Sequence, residues 1–207
     1  MSWPGGWRMP DAPGLELIRQ DCNAVHADAV LGTSFDHDQP ALLADPKQIL
    51  DLLRWLRDTP GQEYRFLSSL HVADYLPAQP RFGVHYELLN MPRVERIRVK
   101  AMLANPAVGE TSGSADLGLR PRTARPADSL AEQLPEIDSS VELFPTAEFH
   151  EREAYDFFGI VFRGHPDLRR ILLPEDYVGW PLRRDFPVGG EPVLFTHNEP
   201  DSPGWYE

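Results

Sequence analysis

A chain of 207 residues, 42% of them apolar, is long enough for one ordinary domain with a real hydrophobic core. Its formal net charge of −12 excludes the basic footprint of a nucleic-acid binder and disfavours direct electrostatic attachment to an anionic lipid surface. The single cysteine, Cys22, cannot make an intrachain disulfide, a structural zinc site or a four-thiolate iron–sulfur cluster.

Residues 1–10 are rich in Trp, Pro and Gly and lack the basic start and apolar core of a secretory signal, so residues 1–14 read as a flexible end. No stretch reaches the ~20 apolar residues a membrane-spanning helix needs, and a soluble, cytoplasmic chain is expected. Cys22 has no CxxC-like companion and reads as an inert small side chain. A strand is expected within residues 25–35 or 41–43. Residues 46–58 predict an amphipathic helix, with Asp45 at the N-cap, Pro46 in the first helical position and Gln48 in the third. Ile49, Leu52, Leu53 and Leu56 form its buried stripe, and Thr59-Pro60-Gly61 stops it. Residues 64–75 read as a strand running into a Pro-rich loop.

The clearest alternation follows. Phe82, Val84, Tyr86 and Leu88 point one way with His85 and Glu87 the other; Ile97, Val99, Ala101 and Leu103 alternate with Arg96, Arg98 and Lys100. With the short stretch Asn90-Met91-Pro92-Arg93 between them, these predict an antiparallel hairpin, one face apolar and the other charged. The fold class is α+β, a two-layer domain with a mixed sheet covered by helices on one face. Residues 105–125 lack apolar periodicity and read as an inserted loop, set at about 105–130. The domain spans 15–187, and the Pro-rich residues 188–207 read as an extended tail suited to lying on a partner.

From Val141 the texture changes to charges flanked by aromatics. Thr146 is placed to cap a helix ending near Phe158, with Gly159 as its left-handed terminator. Glu148 with Arg152, and Arg152 with Asp156, have i,i+4 ion-pair spacing. Ile160-Val161-Phe162 reads as a short strand, Gly164-His165-Pro166-Asp167 as a turn, and residues 168–173 as a short apolar element. A zinc protease would need a second histidine where Ala154 stands after His150-Glu151. Glu151 and Glu153, two apart on a helix, diverge too far to share one substrate as an acid–base pair. A solvated charged face is the ordinary alternative. A buried or interfacial charge network is favoured by the adjacent Phe157 and Phe158, which would be costly if exposed.

The run Glu151-Arg152-Glu153-x-x-Asp156-Phe157-Phe158, then His165, then Arg169-Arg170-Ile171, resembles the signature of the thirty-kilodalton subunit family of respiratory complex I. Gly164-His165-Pro166-Asp167-Leu168 and Pro181-Leu182-Arg183-Arg184-Asp185-Phe186-Pro187 match it too, while Ala73-Asp74-Tyr75 and Arg81-Phe82-x-Val84 fall more loosely in the family's order. The resemblance implies a cofactor-free subunit with no catalytic residues, held peripherally on the cytoplasmic face of the cell membrane. Its partners would be complex I peripheral-arm subunits: the quinone-site subunit (D in the family's lettering) and the iron–sulfur subunits lettered B and I. FMN and iron–sulfur clusters in partner subunits would carry electrons from NADH to quinone. Glu151, Arg152, Glu153 and Asp156 would hold the helix against the turn bearing His165, Arg169 and Arg170. Arg183, Arg184 and Asp185 would anchor the tail on a partner. The equivalent subunit of a membrane-bound hydrogenase or other-donor complex is the alternative, and a stand-alone hydrolase using His150 and Glu151 the remote one.

Overall fold

The alternating runs around 82–88 and 97–103 are neighbouring strands, and the sheet is built outward from them. The computed structural model describes residues 7–36, 39–104 and 134–186. Five strands, β1 (Val30–Asp36), β2 (Gln39–Ala44), β3 (Phe66–Asp74), β4 (Phe82–Asn90) and β5 (Glu95–Leu103), lie in the order β1-β2-β5-β4-β3. All pairings are antiparallel except β2 with β5, which makes the sheet mixed. The predicted hairpin is β4–β5, in register from Phe82 opposite Leu103 to Asn90 opposite Glu95. Both candidate early strands form, as the β1–β2 pair.

Helix α1 (Ala12–Val25), α2 (Ile49–Asp58) and α3 (Ala147–Phe158) bury Leu15, Cys22, Ile49, Leu52, Leu53, Leu56, Ala147 and Ala154 in one cluster with the apolar residues of β4 and β5. Full burial of each large aliphatic side chain contributes roughly 1.5–3 kcal/mol, so α2, with five buried residues, binds the sheet strongly. A two-stranded parallel ribbon, β6 (Glu136–Asp138) with β7 (Val161–Arg163), brackets α3. No helix among the described residues is long and apolar enough to cross a membrane.

Several local expectations change. Residues 12–14 already belong to α1, capped by Asp11, whose carboxylate accepts the Gly14 N–H at 2.8 Å. Arg8 exchanges backbone hydrogen bonds with Val94 and Arg96. Residues 46–48 form a 3-10 turn before α2, with Asp45 accepting from the Lys47 N–H. Gln48 closes no capping box; its amide donates to the Ala27 carbonyl instead. Residues 168–173 form no regular element, and the described part of the C-terminal segment carries only turns and bends. The loop expected at about 105–130 and the tail at 188–207 lie outside the described residues.

The charged face of the sheet is not open to water along β4, all nine of whose residues are buried. Glu87 is covered by the guanidinium of Arg98, with which it pairs. The His85 ring stacks on His71 at 4.9 Å and meets the Tyr75 hydroxyl at 3.1 Å. Burial and the neighbouring His71, Lys100 and Arg98 push the His85 pKa down to about 3, leaving a neutral imidazole at physiological pH.

Candidate functional site

Helix α3 ends where it does because Gly159 takes the left-handed conformation (φ 68°), its N–H bonding back to the Tyr155 carbonyl at 2.8 Å. A Cβ at that position would also lie 2.5 Å from Trp180. The chain therefore turns tightly under the indole and returns along the helix as an irregular strap, residues 164–186. Thr146 occupies the N-cap position without capping; its hydroxyl donates to the Leu67 carbonyl of β3.

Two buried carboxylates of α3 organise this region. Glu151 accepts the Ser140 N–H (2.7 Å), the Ser140 hydroxyl (2.8 Å) and the Ser139 hydroxyl (2.6 Å), fixing the turn after β6 to the helix. No cation contacts it among the described residues, and burial raises its pKa despite those hydrogen bonds. Asp156 is the opposite case. Its Oδ2 accepts the backbone N–H groups of Ile171, Leu172 and Leu173 at 3.1, 2.8 and 2.9 Å, and its Oδ1 meets Arg170 at 2.8 Å. Burial resists the charge, but three N–H donors and the guanidinium outweigh it, and the pKa is lowered.

Arg170 completes the knot. Beyond Asp156 it donates to the carbonyls of Tyr177 and Gly179 and lies over the Trp180 ring at 4.7 Å. Arg152 makes neither of the i,i+4 pairs that its spacing suggests. It reaches across to the carbonyls of Arg169 and Arg170 at 3.2 and 3.1 Å, because Asp156 is already saturated by better-placed donors. His165 accepts the Asp167 N–H at Nδ1, which leaves Nε2 to donate to the Glu148 carbonyl at 3.0 Å. Arg169 pairs with Asp167 at the surface.

The second half of the site is a clamp on the strap's far end. The Arg81 guanidinium, 2% exposed, is bidentate to Asp74 (3.0 and 2.7 Å) and to Asp185 (2.9 and 2.6 Å). Asp74 also accepts the N–H groups of Leu76 and Arg184. Burial opposes its ionisation, but these donors hold its pKa at about 2. Arg183 donates to the Phe158 carbonyl at 2.7 Å and lies over the Phe82 ring at 5.1 Å. Burial and the neighbouring Arg81 lower its pKa to about 10. Arg184 reaches the Leu76 carbonyl at 2.6 Å.

Nine of the ten residues singled out in the sequence are thus engaged within the chain. Arg183, Arg184 and Asp185, expected from the sequence to anchor the tail on a partner, make contacts within the chain with β3, β4, α3 and the loop after β3. Glu153 is exposed and forms no ion pair among the described residues. His150 and Glu151 share no site, since the Glu151 carboxylate turns inward to the serines while His150 lines an outer groove. Arg81 and Asp74 fall in the loosely matching stretch and carry no role on sequence grounds. The signal that could have found them is a lone charge at each strand end facing the same Pro-containing loop.

Comparison with solved structures gives a fold likeness to a trypsin-resistant fragment (1–134) of Nqo5 (22% identity, TM-score 0.51, 74% of this chain and 98% of that one). A chain of the archaeal membrane-bound sulfane sulfur reductase complex is similarly alike (18% identity, TM-score 0.58, 91% and 98% covered). The sequence is 40% identical over 176 residues to the NADH-quinone oxidoreductase C subunit of Roseiflexus castenholzii, covering 85% of this chain and 86% of that protein. It is 36% identical over 191 residues to the protein of the same name from Roseiflexus sp. strain RS-1, with 92% of each covered. The Saccharopolyspora erythraea protein of that name is 35% identical, with 94% of this chain and 68% of that one covered. The family model of the respiratory-chain NADH dehydrogenase 30 Kd subunit matches residues 42–116 and 118–192, taking in both the clamp and the α3 knot, and the chain belongs to that family.

Proposed function

We propose that this chain serves as a non-catalytic, cofactor-free peripheral-arm subunit of a proton-translocating NADH–quinone oxidoreductase. Its role is assembly and support of the quinone-site subunit, next to the two iron–sulfur subunits that adjoin it. Electrons pass from NADH through FMN and iron–sulfur clusters of partner subunits to quinone. The chain is held at the cytoplasmic face of the cell membrane through the complex. The observation that carries the supporting role is how the signature charges are spent. Glu151, Asp156, Arg152, Arg170 and Arg81 hold backbone and counter-charges of their own chain, which suits a rigid platform better than a reaction centre.

A second reading, the equivalent subunit of a complex fed by another donor, is favoured by one observation. The fold likeness to the sulfane sulfur reductase chain extends over 91% of this one, so the fold alone does not choose the donor. Tagged pull-down from gently solubilised membranes, with mass spectrometry and an NADH–quinone assay on the eluate, decides. Recovery of a large flavin- and iron–sulfur-containing assembly with that activity is expected. A hydrogenase-like or sulfur-reducing set would establish the second reading, and a lone chain would refute both.

A further inference from the structure

Glu151 and Asp156 are both fully buried carboxyls of α3, yet only Asp156 is given a cation among the described residues. The donors around the two also differ in kind. Asp156 meets three backbone N–H groups and a guanidinium, none of which can turn into an acceptor. Glu151 meets one backbone N–H and two serine hydroxyls, and a hydroxyl donates or accepts as it rotates. A third hydroxyl, that of Tyr86, is fully buried, lies in the field of Glu151 and Asp138, and has no hydrogen-bond partner among the described residues. Ser140 is sealed in as well, but Ser139 is only half-buried. Its hydroxyl, 2.6 Å from Oε2, joins the carboxyl to the surface.

The charges packed around Glu151 do not hold it ionised. Strand β6 presents Asp138, of the same sign and paired with Arg163 of β7. The strap presents His165, whose ring is committed to the Glu148 carbonyl and the Asp167 N–H. On α3 itself Glu148 repeats the negative sign, and Arg152 is spent on the carbonyls of Arg169 and Arg170. His71 of β3 lies in the outer groove with His150. Burial therefore raises the Glu151 pKa, and the hydrogen bonds offset only part of that effect. We propose that Glu151 is a reversible proton-binding site of the folded chain, and that its charge sets how firmly the turn after β6 is held to α3. Ionised, the carboxylate pins the turn through the Ser140 N–H and both hydroxyls. A proton from solvent, arriving at Oε2 by way of Ser139, reverses that contact: the new O–H donates to the Ser139 Oγ, whose own hydrogen turns to water. The Ser140 N–H then faces a neutral acceptor, a bond about half as strong. The inference goes beyond the subunit reading and does not depend on it.

The sign follows from linkage. The proton is bound in full below the unfolded glutamate value, and the stability it confers is lost as pH rises through the higher folded one. The test is an NMR titration of the full chain, isotopically labelled at the glutamate Cδ carbons and the backbone nitrogens. One glutamate resonance is expected to titrate above the ordinary value of about 4.3 and to vanish in Glu151→Gln. The Ser140 amide should move with the same midpoint, which a merely structural Glu151 would not cause. Ser139→Ala removes a donor to the ionised form and should shift that midpoint upward by about one pH unit. This second variant keeps the test decisive if Glu151→Gln fails to fold. The inference is overturned if every glutamate titrates at or below the ordinary value, or if the raised resonance survives Glu151→Gln. A Ser140 amide that ignores the titration, or a midpoint unmoved by Ser139→Ala, overturns it as well.

Discussion

Replacing Arg81 with Met tests the clamp most directly, because it removes the charge and keeps much of the packing volume. The side chain is 2% exposed, and so is that of Asp74. Without the guanidinium, Asp74 keeps only the N–H groups of Leu76 and Arg184 as donors in a water-poor site. Breaking a buried ion pair by deleting one partner costs about 3–5 kcal/mol. At roughly 2–4 °C per kcal/mol for a chain of this size, R81M lowers the thermal midpoint by roughly 6–20 °C. Asp185 shares the same guanidinium but is 53% exposed, so D185N costs only about 1 kcal/mol after solvent screening. Adding D74N to R81M removes the stranded charge and restores part of the loss. Urea unfolding at pH 7, followed by tryptophan fluorescence, compares the wild type, R81M, D185N, D74N and the R81M/D74N double variant. If R81M and D185N cost the same, or if D74N adds its full penalty to R81M, the idea that an orphaned Asp74 dominates is refuted.

Three further outcomes follow from the same geometry. Asp156→Asn replaces the charge that faces three N–H groups and Arg170 and should cost about 3 kcal/mol, more than Glu151→Gln, which trades no ion pair; equal urea midpoints would contradict this. His85 is depressed to about 3, so the unfolded chain binds a proton that the folded one refuses; its contribution is full above about pH 6.5 and is lost as pH falls toward 3. Between pH 6.5 and 5 the stability of the wild type should fall more steeply than that of His85→Gln, and identical pH slopes would refute the assignment. Gly159→Ala combines a left-handed backbone with a clash against Trp180 and should cost about 2–4 kcal/mol, whereas Gly164→Ala (φ 82°, open space around it) should cost about 1 kcal/mol; comparable thermal midpoints would show that Trp180 yields without cost.

The hairpin and α2 are legible in the sequence because their periods are clean: two for β4 and β5, and a single apolar stripe for α2. Helix α1 escapes such a reading because only Leu15 and Cys22 of its length are buried, while Leu17 and Val25 face outward and blur the stripe. Strand β6 is three residues long and carries one buried side chain, too little pattern to register. The α3 block is legible as chemistry: Glu151 and Asp156 are charges in a buried network, as the flanking aromatics suggest. Their partners are not. Helical spacing proposes i,i+4 ion pairs, but the folded chain offers Asp156 three convergent N–H groups, and no local rule anticipates donors fifteen residues downstream. The direction in which Arg183 and Asp185 face is equally hidden, because it depends on Arg81, which only the sheet brings beside them.

The Arg81 clamp also orders events during the making of the protein. Arg81 and Asp185 are 104 residues apart, so at about 5–20 residues per second the ribosome separates their appearance by roughly 5–20 s. For most of that interval β3, β4 and β5 have all been synthesised, yet Arg81 has only half of its counter-charge, and Asp74 lacks the Arg184 N–H. The sheet is therefore closed by almost the last described stretch of the chain to emerge. A chain cut short before Arg183 would carry an unfinished buried charge into the cell, a mark by which incomplete copies differ from those ready to enter an assembly.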